Sequence, residues 1–269
     1  MCEFFEKFLH HVKGEWAGDA FVLGDWERDR IIRPLFGWKR PDGTRKYRKF
    51  YGEMGRKQGK STIGAGHGLY LLFSDNEPGS EVFSLAADRD QASVIFDIAR
   101  QMAEMEPELK SRCEIYRRSI VVPKTQSSYH VLSADAPSKH GKNSHGILFD
   151  ELHAQPDREL YDVMKSSMGA RRQPLMIMFT TAGYDRTSVC WEEHEYAERV
   201  AEDPALDPSY LPLIYAVDEK DDWTDPETWA KANPNLGISV KLSYLEEECR
   251  RAKDSPAYQN TFRRLYLSQ

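Results

Sequence analysis

The stretch MGRKQGKST, residues 54–62, decides how the fold of this chain is interpreted. A phosphate-binding loop has the pattern glycine, four residues of any type, and then Gly-Lys-Ser or Gly-Lys-Thr. Gly59, Lys60 and Ser61 fit the second half of that pattern. Met54 stands where the first glycine is expected, and Gly55 follows one residue too late. The motif is incomplete, so other parts of the chain must decide whether it binds a nucleotide.

Length, composition and charge indicate a globular protein with one large core. The chain has 269 residues, of which 40% are hydrophobic and 12% aromatic, enough for a sizeable core with a small additional subdomain. The net charge of −6 gives no general reason to expect nucleic-acid binding. However, residues 39–60 carry nine Lys or Arg against two acids. Such a run is typical of a solvated surface as well as of a phosphate-binding one.

Cysteine spacing and hydropathy argue against several other classes of protein. The four cysteines are far apart and form no C-x-x-C pair, which predicts neither a disulfide framework nor a zinc site and favours a reducing compartment. The segment 1–18 carries charges within it, unlike a signal peptide. No apolar run approaches the ~18 residues that a membrane span needs. We expect a protein of the cytosolic type, without a membrane partner.

Short apolar runs that alternate with helical stretches predict an α/β fold with a mainly parallel sheet. The runs at 146–150 and 174–181 have the length of central parallel strands. We predict strands over residues 49–54, 81–87, 119–123, 127–135, 146–150, 174–181 and 210–217, and helices over residues 61–73 and 90–105.

The sequence becomes acidic and rich in turn residues after position 217. Thr224 and Glu227 predict a capping box ahead of a short helix, and Ser255 followed by Pro256 predicts the start of another. We therefore expect a sheet domain over residues 1–216 and a small helical subdomain over residues 217–269.

Three segments at predicted strand ends suggest chemistry on a nucleotide. The glycine-rich loop would aim backbone N–H groups at phosphate oxygens, with Lys60 near the β- and γ-phosphates and Ser61 on Mg²⁺. HGILFDELH, residues 145–153, ends a buried strand with two acids, Asp150 and Glu151. Such a pair suits hydrolysis, because one carboxylate holds the hydrated metal while the other activates water. Unpaired buried charge is costly, so these acids indicate a cation or a donor nearby.

The third segment is MIMFTTAG, residues 176–183, which ends a buried strand with Thr180 and Thr181. In ATPases that combine a phosphate-binding loop with an acidic pair, hydroxyls at this position sense the γ-phosphate. A threonine pair taken alone, however, is more often structural. Three elements in this order, each at the carboxyl end of a strand, are more specific than any one of them.

The chain resembles the large terminase subunit, the DNA-packaging motor of tailed double-stranded DNA phages. The resemblance covers most of the chain and is carried by VLGDWERDRIIRPLFGW, GRKQGKST, DRDQA, SKHGKNSHGILFDELHAQ, GARRQPLMIMFTTAG and DDWTDPETWAKANPNLG. In this family the first loop glycine is replaced and an Arg or Lys lies within the loop, as Arg56 and Lys57 do here. The resemblance implies a P-loop NTPase fold of the RecA/ASCE type, with a mainly parallel sheet flanked by helices and a small C-terminal helical lid or linker.

The resemblance also implies roles for individual residues. Glu151 is the catalytic carboxylate, assisted by Arg56 and Lys60, while Ser61 and Asp150 hold Mg²⁺. Thr180 and Thr181 couple hydrolysis to DNA movement, and the segment with Trp26 and Glu27 contacts adenine, although the family usually has Gln after the aromatic residue. A neighbouring subunit can supply an arginine, with Arg171, Arg172 and Arg56 as candidates. The residues expected to bind ATP through the loop are Gly55, Arg56, Lys57, Gln58, Gly59, Lys60, Ser61 and Thr62.

Partners and location are implied in the same way. We expect double-stranded DNA, a portal protein, a small terminase subunit and a homo-oligomeric ring, expected to be a pentamer, docked transiently on a procapsid in the host cytoplasm. The family also carries a C-terminal metal-dependent nuclease; no later carboxylate cluster follows the Asp-Glu pair here, so we expect no nuclease activity from this chain. DNA contacts should go to phosphates without base reading, with Arg45, Lys46, Arg48 and Lys49 as candidates and a solvated surface as the alternative.

Other functions compete with this interpretation. A truncated helicase or DNA translocase is the nearest, because DELH is an Asp-Glu-x-His box and TTA resembles a helicase motif. Only 88 residues follow Thr181, too few for the second domain of roughly 150 residues that a helicase needs, which argues against a complete helicase but not against a truncated one. A GTPase lacks support because the chain has no Asp-x-x-Gly and no Asn-Lys-x-Asp. A nucleotide-independent binding module, with Gly-Lys-Ser accidental, is the remaining alternative.

Overall fold

An eight-stranded sheet lies at the centre of the fold in a computed structural model of the chain, which describes residues 1–87, 89–133 and 141–269. The spatial order is β3-β4-β5-β2-β6-β7-β1-β8, parallel from β5 to β8 and antiparallel between β3, β4 and β5. In chain order the strands are β1 Lys49–Glu53, β2 Glu81–Ala86, β3 Glu114–Ile115, β4 Ser119–Val122, β5 Ser127–Ser133, β6 Ser144–Phe149, β7 Leu175–Thr180 and β8 Tyr210–Ile214.

Helices cover the sheet and form most of the C-terminal region. A π-helical stretch over Arg28–Ile32 joins α2 to α3, and 3₁₀ turns occupy Gly14–Trp16 and Leu152–Ala154. The α-helices are α1 Cys2–Phe8, α2 Asp25–Glu27, α3 Arg33–Gly37, α4 Lys60–Phe73, α5 Arg89–Met105, α6 Pro107–Lys110, α7 Glu159–Ser167, α8 Val189–Glu202, α9 Pro226–Trp229, α10 Leu242–Asp254 and α11 Pro256–Leu267.

The sheet separates two hydrophobic clusters because successive strand side chains point to opposite faces. On β1, Phe50 packs in the cluster that holds α4 and α5, whereas Tyr51 packs in the cluster that holds α7 and α8. A third cluster joins α9, α10 and α11, and Val217 donates its backbone N–H to Leu267 O. The division of the chain at residue 217 remains a prediction.

The carboxyl ends of β1, β6 and β7 meet at one edge of the sheet, which we call the carboxyl edge. β1 pairs in parallel with β7, so that Glu53 lies opposite Thr180. β6 pairs in parallel with β7 on its other side. In an open α/β sheet this edge is where ligands bind, and here it receives all three segments that the sequence singled out.

The predicted strands, the helices predicted over residues 61–73 and 90–105, and the helix predicted to begin after Ser255 are confirmed, with strand and helix ends shifted by at most three residues where both ends were predicted. Residue 88 of DRDQA, residues 134–135 of the predicted strand and residues 138–140 of SKHGKNSHGILFDELHAQ lie outside the described residues. Several elements went unpredicted, namely β3, α1, α2, α3, α6, α7, α8 and α10.

The predicted capping box at Thr224 is wrong. Asp225 caps α9 instead, since its Oδ1 accepts a 2.9 Å hydrogen bond from Glu227 N. Thr224 donates its hydroxyl to Asp222 Oδ1 at 2.8 Å, within the preceding turn. Pro226 at the first helical position fixes Asp225 as the cap.

Candidate nucleotide site

The loop between β1 and α4 does not turn at Met54, the position where a glycine was expected. Met54 is 0% exposed, packs in the core, and donates its backbone N–H to Thr180 O at 3.2 Å. The left-handed backbone falls later, at Lys57 with φ 66° and at Gly59 with φ 82°. Glycine adopts such a φ without steric cost, so Gly59 is the glycine that this loop needs for its bend.

Backbone donors in the loop divide into two groups. Gly55 N and Arg56 N bond to the C-terminal helical region, to Ala232 O at 3.1 Å and Leu265 O at 2.8 Å. For residues 57–62, in contrast, the described part of the chain offers no acceptor to any backbone N–H. These donors stand at the N-terminus of α4, where the helix dipole adds partial positive charge. The geometry is that of an anion-binding cradle.

Lys60 lies beneath this cradle. Its Nζ donates to Met54 O at 3.2 Å and to Gly55 O at 2.9 Å, which curls the loop around the ammonium group. Burial lowers the pKa of Lys60, while the charges of Glu151 and Asp150 act in the opposite direction. The two bonds to the carbonyl oxygens of Met54 and Gly55 orient the ammonium group.

Ser61 and Asp150 meet as the sequence predicts for a metal site. Ser61 Oγ donates to Asp150 Oδ2 at 2.8 Å. Asp150 is 5% exposed, and its Oδ1 has no hydrogen-bond partner in the described part of the chain. Burial and the neighbouring Glu151 charge raise the pKa of Asp150 to about 6, against the effect of the Ser61 bond. A buried, unpartnered carboxylate oxygen beside a hydroxyl suits a hard cation such as Mg²⁺.

No group of three or more His, Cys, Asp or Glu residues able to hold a metal occurs among the described residues. Mg²⁺ usually keeps several waters and is held by one or two carboxylates together with substrate phosphates.

Glu151 follows Asp150 in a strained backbone conformation. Its φ of 51° and ψ of 55° are left-handed, which costs a non-glycine residue about 1–3 kcal/mol. In this conformation the carboxylate Oε2 lies 3.1 Å from His153 Nδ1. Burial raises the pKa of Glu151, but His153 and Lys60 together lower it below its ordinary value. The carboxylate is thus ionised at neutral pH and able to accept a proton.

Thr180 connects the loop to the Asp-Glu pair. Its carbonyl accepts from Met54 N, and its hydroxyl accepts from His153 N at 3.2 Å, with His153 Nδ1 3.1 Å away. Thr181 is also buried, and its Oγ1 has no partner within the described residues. The predicted pair therefore lies between the start of the loop and Glu151.

Trp26 and Glu27 lie beside the loop. Trp26 Nε1 donates to Asn235 Oδ1 at 2.9 Å, and Glu27 Oε2 accepts from Gly24 N at 2.9 Å. The second carboxylate oxygen, Glu27 Oε1, would lie 3.8 Å from a Cβ at Gly59. Burial raises the pKa of Glu27 to about 7, although the Gly24 bond acts against the rise.

A family model described as "Terminase large subunit, ATPase domain" matches residues 26–199, which is more than half of the chain. Of the site residues described above, only Gly24, Ala232, Asn235 and Leu265 lie outside the matched range. The chain belongs to this terminase family. The expected family membership is therefore confirmed, and nothing in the comparisons favours the helicase alternative.

Curated relatives include terminases of several phages. The chain is 25% identical to the terminase large subunit of Enterobacteria phage HK97, over 99% of this chain and 52% of that protein. It is 26% identical to the terminase large subunit of Lactococcus phage p2, over 78% of this chain and 39% of that protein. Protein YmfN of Escherichia coli is 38% identical over 128 residues, 48% of this chain and 28% of that protein. The chain thus spans about half or less of the length of these relatives.

Solved structures confirm the predicted fold. The crystal structure of the HK97 large terminase superposes with a TM-score of 0.86 at 23% identity, over 100% of this chain and 54% of that one. A point mutant of the ATPase domain of the Thermus phage P74-26 large terminase superposes with a TM-score of 0.55 at 18% identity, over 87% of this chain and 95% of that one. The P-loop fold of this terminase chain is established by these likenesses.

The candidate arginines of the terminase chain occupy different places. Arg171 lies before β7, at the edge opposite the site, and donates to Asn143 O and Gly79 O of its own chain. Arg172 is exposed beside it, whereas Arg56 is exposed within the loop. The internal bonds of Arg171 favour a structural role, and the source of an arginine in trans stays a prediction.

One candidate DNA-contacting residue, Arg45, is wrong, and a second, Lys49, takes part in an ion pair within the chain. Arg45 is 0% exposed and bonds through Nη2 to both oxygens of Asp75, at 2.6 and 2.7 Å. Lys49 lies 3.1 Å from Glu193 Oε1 in a partly buried pair. Sequence charge alone does not reveal these distant partners. Lys46 and Arg48 are half-buried and retain solvent access.

Sequence reasoning missed His153 and Asn235 as site residues. His153 was visible as the last letter of DELH, two residues beyond Glu151, the predicted catalytic carboxylate. Asn235 was visible in NPN, where an amide follows a proline-bounded turn. His153 contacts Thr180, 27 positions away in the sequence, and Asn235 contacts Trp26, 209 positions away, so no local pattern predicts these contacts.

Proposed function

We propose that the chain binds Mg²⁺-ATP at residues 57–62 and hydrolyses it, and that hydrolysis drives double-stranded DNA into a phage procapsid. The observation that carries the proposal is the Ser61–Asp150 hydrogen bond, beside which Asp150 Oδ1 is left without a partner in the described part of the chain. Membership of the terminase ATPase family supports the reaction, and the names of the relatives support the packaging role.

Phosphate binding would use the free N–H groups of the loop. Six successive residues, 57–62, present donors that have no acceptor among the described residues, and Lys60 adds a buried positive charge next to them. Ser61 Oγ and Asp150 would hold Mg²⁺, which supplies neutralisation of the charge on the β- and γ-phosphate oxygens. Thr62 lies in the first turn of α4, at the end of the cradle.

Glu151 would act as the general base. Its carboxylate takes a proton from water, the water oxygen forms a bond to the γ-phosphorus, and the bond from that phosphorus to the bridging oxygen breaks, leaving ADP and phosphate. His153 Nδ1 lies 3.1 Å from the carboxylate, and Thr180 Oγ1 lies 3.1 Å from the same nitrogen. Because Thr180 also binds Met54, a change at the phosphates would reach the coupling threonines through this chain of contacts.

Base recognition would involve Trp26 and Glu27. A protonated carboxyl group presents one donor and one acceptor, the same pair that the amide of Gln presents. With a pKa of about 7, Glu27 is partly protonated at neutral pH and is able to pair with an adenine edge in that form. The departure from the usual Gln is thereby compatible with adenine binding.

DNA would be held through its phosphates, because a packaging motor must accept any sequence. Lys46 and Arg48 remain the candidates on the basic segment. A ring of subunits, a portal protein and a small terminase subunit would complete the motor on the procapsid in the host cytoplasm. Among the described residues, none of the helices is of a length and apolarity suited to crossing a membrane.

A titration of the wild-type chain with Mg²⁺-ATP tests the proposal. We expect saturable binding, slow release of phosphate, and weaker binding by Lys60→Ala. Absence of saturable binding would favour the nucleotide-independent binding module instead. Slow turnover by the isolated chain is expected, since ring neighbours are absent, and an arginine in trans can contribute ~10³–10⁵ in rate.

A further inference from the structure

The phosphate loop is bonded to the C-terminal helical region by more than backbone contacts. Gln58, in the middle of the loop, is 0% exposed. Its Nε2 donates to Asn233 Oδ1 at 2.6 Å and to Arg56 O at 3.2 Å, and its Oε1 accepts from Asn235 N at 2.9 Å. Both the nitrogen and the oxygen of this buried amide therefore have hydrogen-bond partners. Losing one partner would leave an unpaired polar group in the interior, which is costly, so the amide holds the segments that it contacts in place.

The two asparagines extend this connection on both sides. Asn233 Nδ2 donates to Trp229 O and Tyr266 O, which anchors it to α9 and α11. Asn235 Nδ2 donates to Gln58 O at 3.0 Å, while its Oδ1 accepts from Trp26 Nε1. The three amide side chains therefore join the loop, the segment that contains Trp26, and the C-terminal helices α9 and α11.

Gly55 explains why the loop glycine lies one position late. Its φ is not positive, so the backbone turn does not require it. A Cβ at this position would lie 2.8 Å from Tyr266 O and 2.9 Å from Asn233 Oδ1. Glycine is needed here because the C-terminal region approaches the loop too closely for any side chain.

We propose that Gln58, Asn233 and Asn235 form a latch, here called the amide latch, that couples nucleotide binding to the position of the C-terminal helices. The inference rests on the proposed nucleotide binding at residues 57–62. A nucleotide on the cradle fixes the loop, and the loop holds Asn233 and Asn235 directly. Since coupling between two sites is reciprocal, the C-terminal helices also set the affinity of the loop for nucleotide.

Hydrogen exchange with mass spectrometry on the full 269-residue chain tests the latch. We compare residues 229–240 and 256–267 with and without a slowly hydrolysed Mg²⁺-ATP analogue. In the wild type, the analogue is expected to change exchange in both segments. In Asn235→Asp, which retains Oδ1 for Trp26 and loses the donor to Gln58 O, that change is expected to disappear while the dissociation constant rises about tenfold, within the range typical of coupled sites.

Gln58→Glu is a second variant of the same shape. It retains an acceptor for Asn235 N but replaces the donor Nε2 with an oxygen that faces Asn233 Oδ1, and we expect the same two effects. Gln173→Ala is the matched control, because Gln173 also bridges two segments, accepting from Arg45 N and donating to Asp75 O, away from the loop. It should retain the wild-type response.

The outcomes separate the inference from the proposed function. Analogue binding by both latch variants with an unchanged response at residues 229–240 and 256–267 overturns the latch alone. Equal loss of response in Gln173→Ala overturns it too, since the effect would then be general destabilisation. Absence of analogue binding by the wild type overturns the proposed function and the latch with it.

Discussion

The hydroxyl of Ser61 donates to Asp150 Oδ2 at 2.8 Å, although 89 positions separate the two residues in the chain. The contact joins the first turn of α4 to the end of β6, and so places the loop and the Asp-Glu pair in one site. It leaves Asp150 Oδ1 buried and unpartnered within the described part of the chain. This arrangement favours the binding of a cation, but it lowers the stability of the fold when no nucleotide is bound.

Asp150→Asn should make the nucleotide-free chain less sensitive to pH. Burial and Glu151 raise the pKa of Asp150 from 3.8 to about 6. The folded state therefore holds this proton more tightly, so the free energy of unfolding falls as pH rises from about 4 to 6, by about 3 kcal/mol from this group. Denaturant unfolding at pH 4 and pH 7 measures the difference. An equal pH dependence in Asp150→Asn would contradict the assignment.

Glu27→Gln should remove a pH dependence of nucleotide affinity near neutrality. The wild-type carboxyl has a pKa of about 7 and would bind adenine in its protonated form, so affinity should fall as pH rises from about 6 to about 8. The Gln side chain offers the same donor and acceptor at every pH. Dissociation constants for ADP at several pH values across this range provide the measurement, and parallel pH curves for the two proteins would disprove the role.

His153→Ala should slow hydrolysis while leaving nucleotide binding nearly intact. His153 is held by Thr180 and lies 3.1 Å from the Glu151 carboxylate, so its loss frees the proposed base to move. A loss of ~1.4 kcal/mol of transition-state stabilisation corresponds to a tenfold lower turnover. His130→Ala, on β5 away from the site, is the control. A raised KM with unchanged kcat would indicate a binding role instead.

Gly55→Ala should destabilise the fold although the φ of Gly55 is ordinary. The new methyl group would meet Tyr266 O at 2.8 Å, and overpacking of this kind costs about 1–3 kcal/mol. Gly37→Ala is the matched control, since a Cβ there meets nothing within 4 Å. Thermal unfolding compares the two. Equal melting temperatures for both variants would show that the C-terminal region yields without cost.

Much of the sheet could be predicted because its central strands are continuous apolar runs. β6 and β7 are buried along their whole length, and each is followed by the polar residues that form the site. The loop, the acids and the threonines carry residue types tied to known chemistry, so their approach was also predictable. The replaced glycine at Met54 contributed to the family resemblance, but only its burial and the turn at Gly59 showed why no glycine is needed there.

The remainder depended on contacts that are distant in sequence. The charge of Arg45 suggested a surface residue, but Asp75 lies in the interior with it and pairs with its guanidinium group, while His145 contacts the same carboxylate. Likewise, Asn235 looks like an ordinary turn residue until Gln58 is seen beside it. Hydrogen-bond and ion-pair partners that are brought together only by the tertiary structure cannot be predicted from the periodicity or spacing of residues in the sequence.

The most direct test of the account is the rate of ATP hydrolysis by Glu151→Gln, measured together with its ATP dissociation constant. The substitution keeps the size of the side chain and removes the proton acceptor, so we expect turnover to fall by at least about a hundredfold with nearly unchanged binding. Wild-type turnover in Glu151→Gln would contradict the proposed role of Glu151 as the general base.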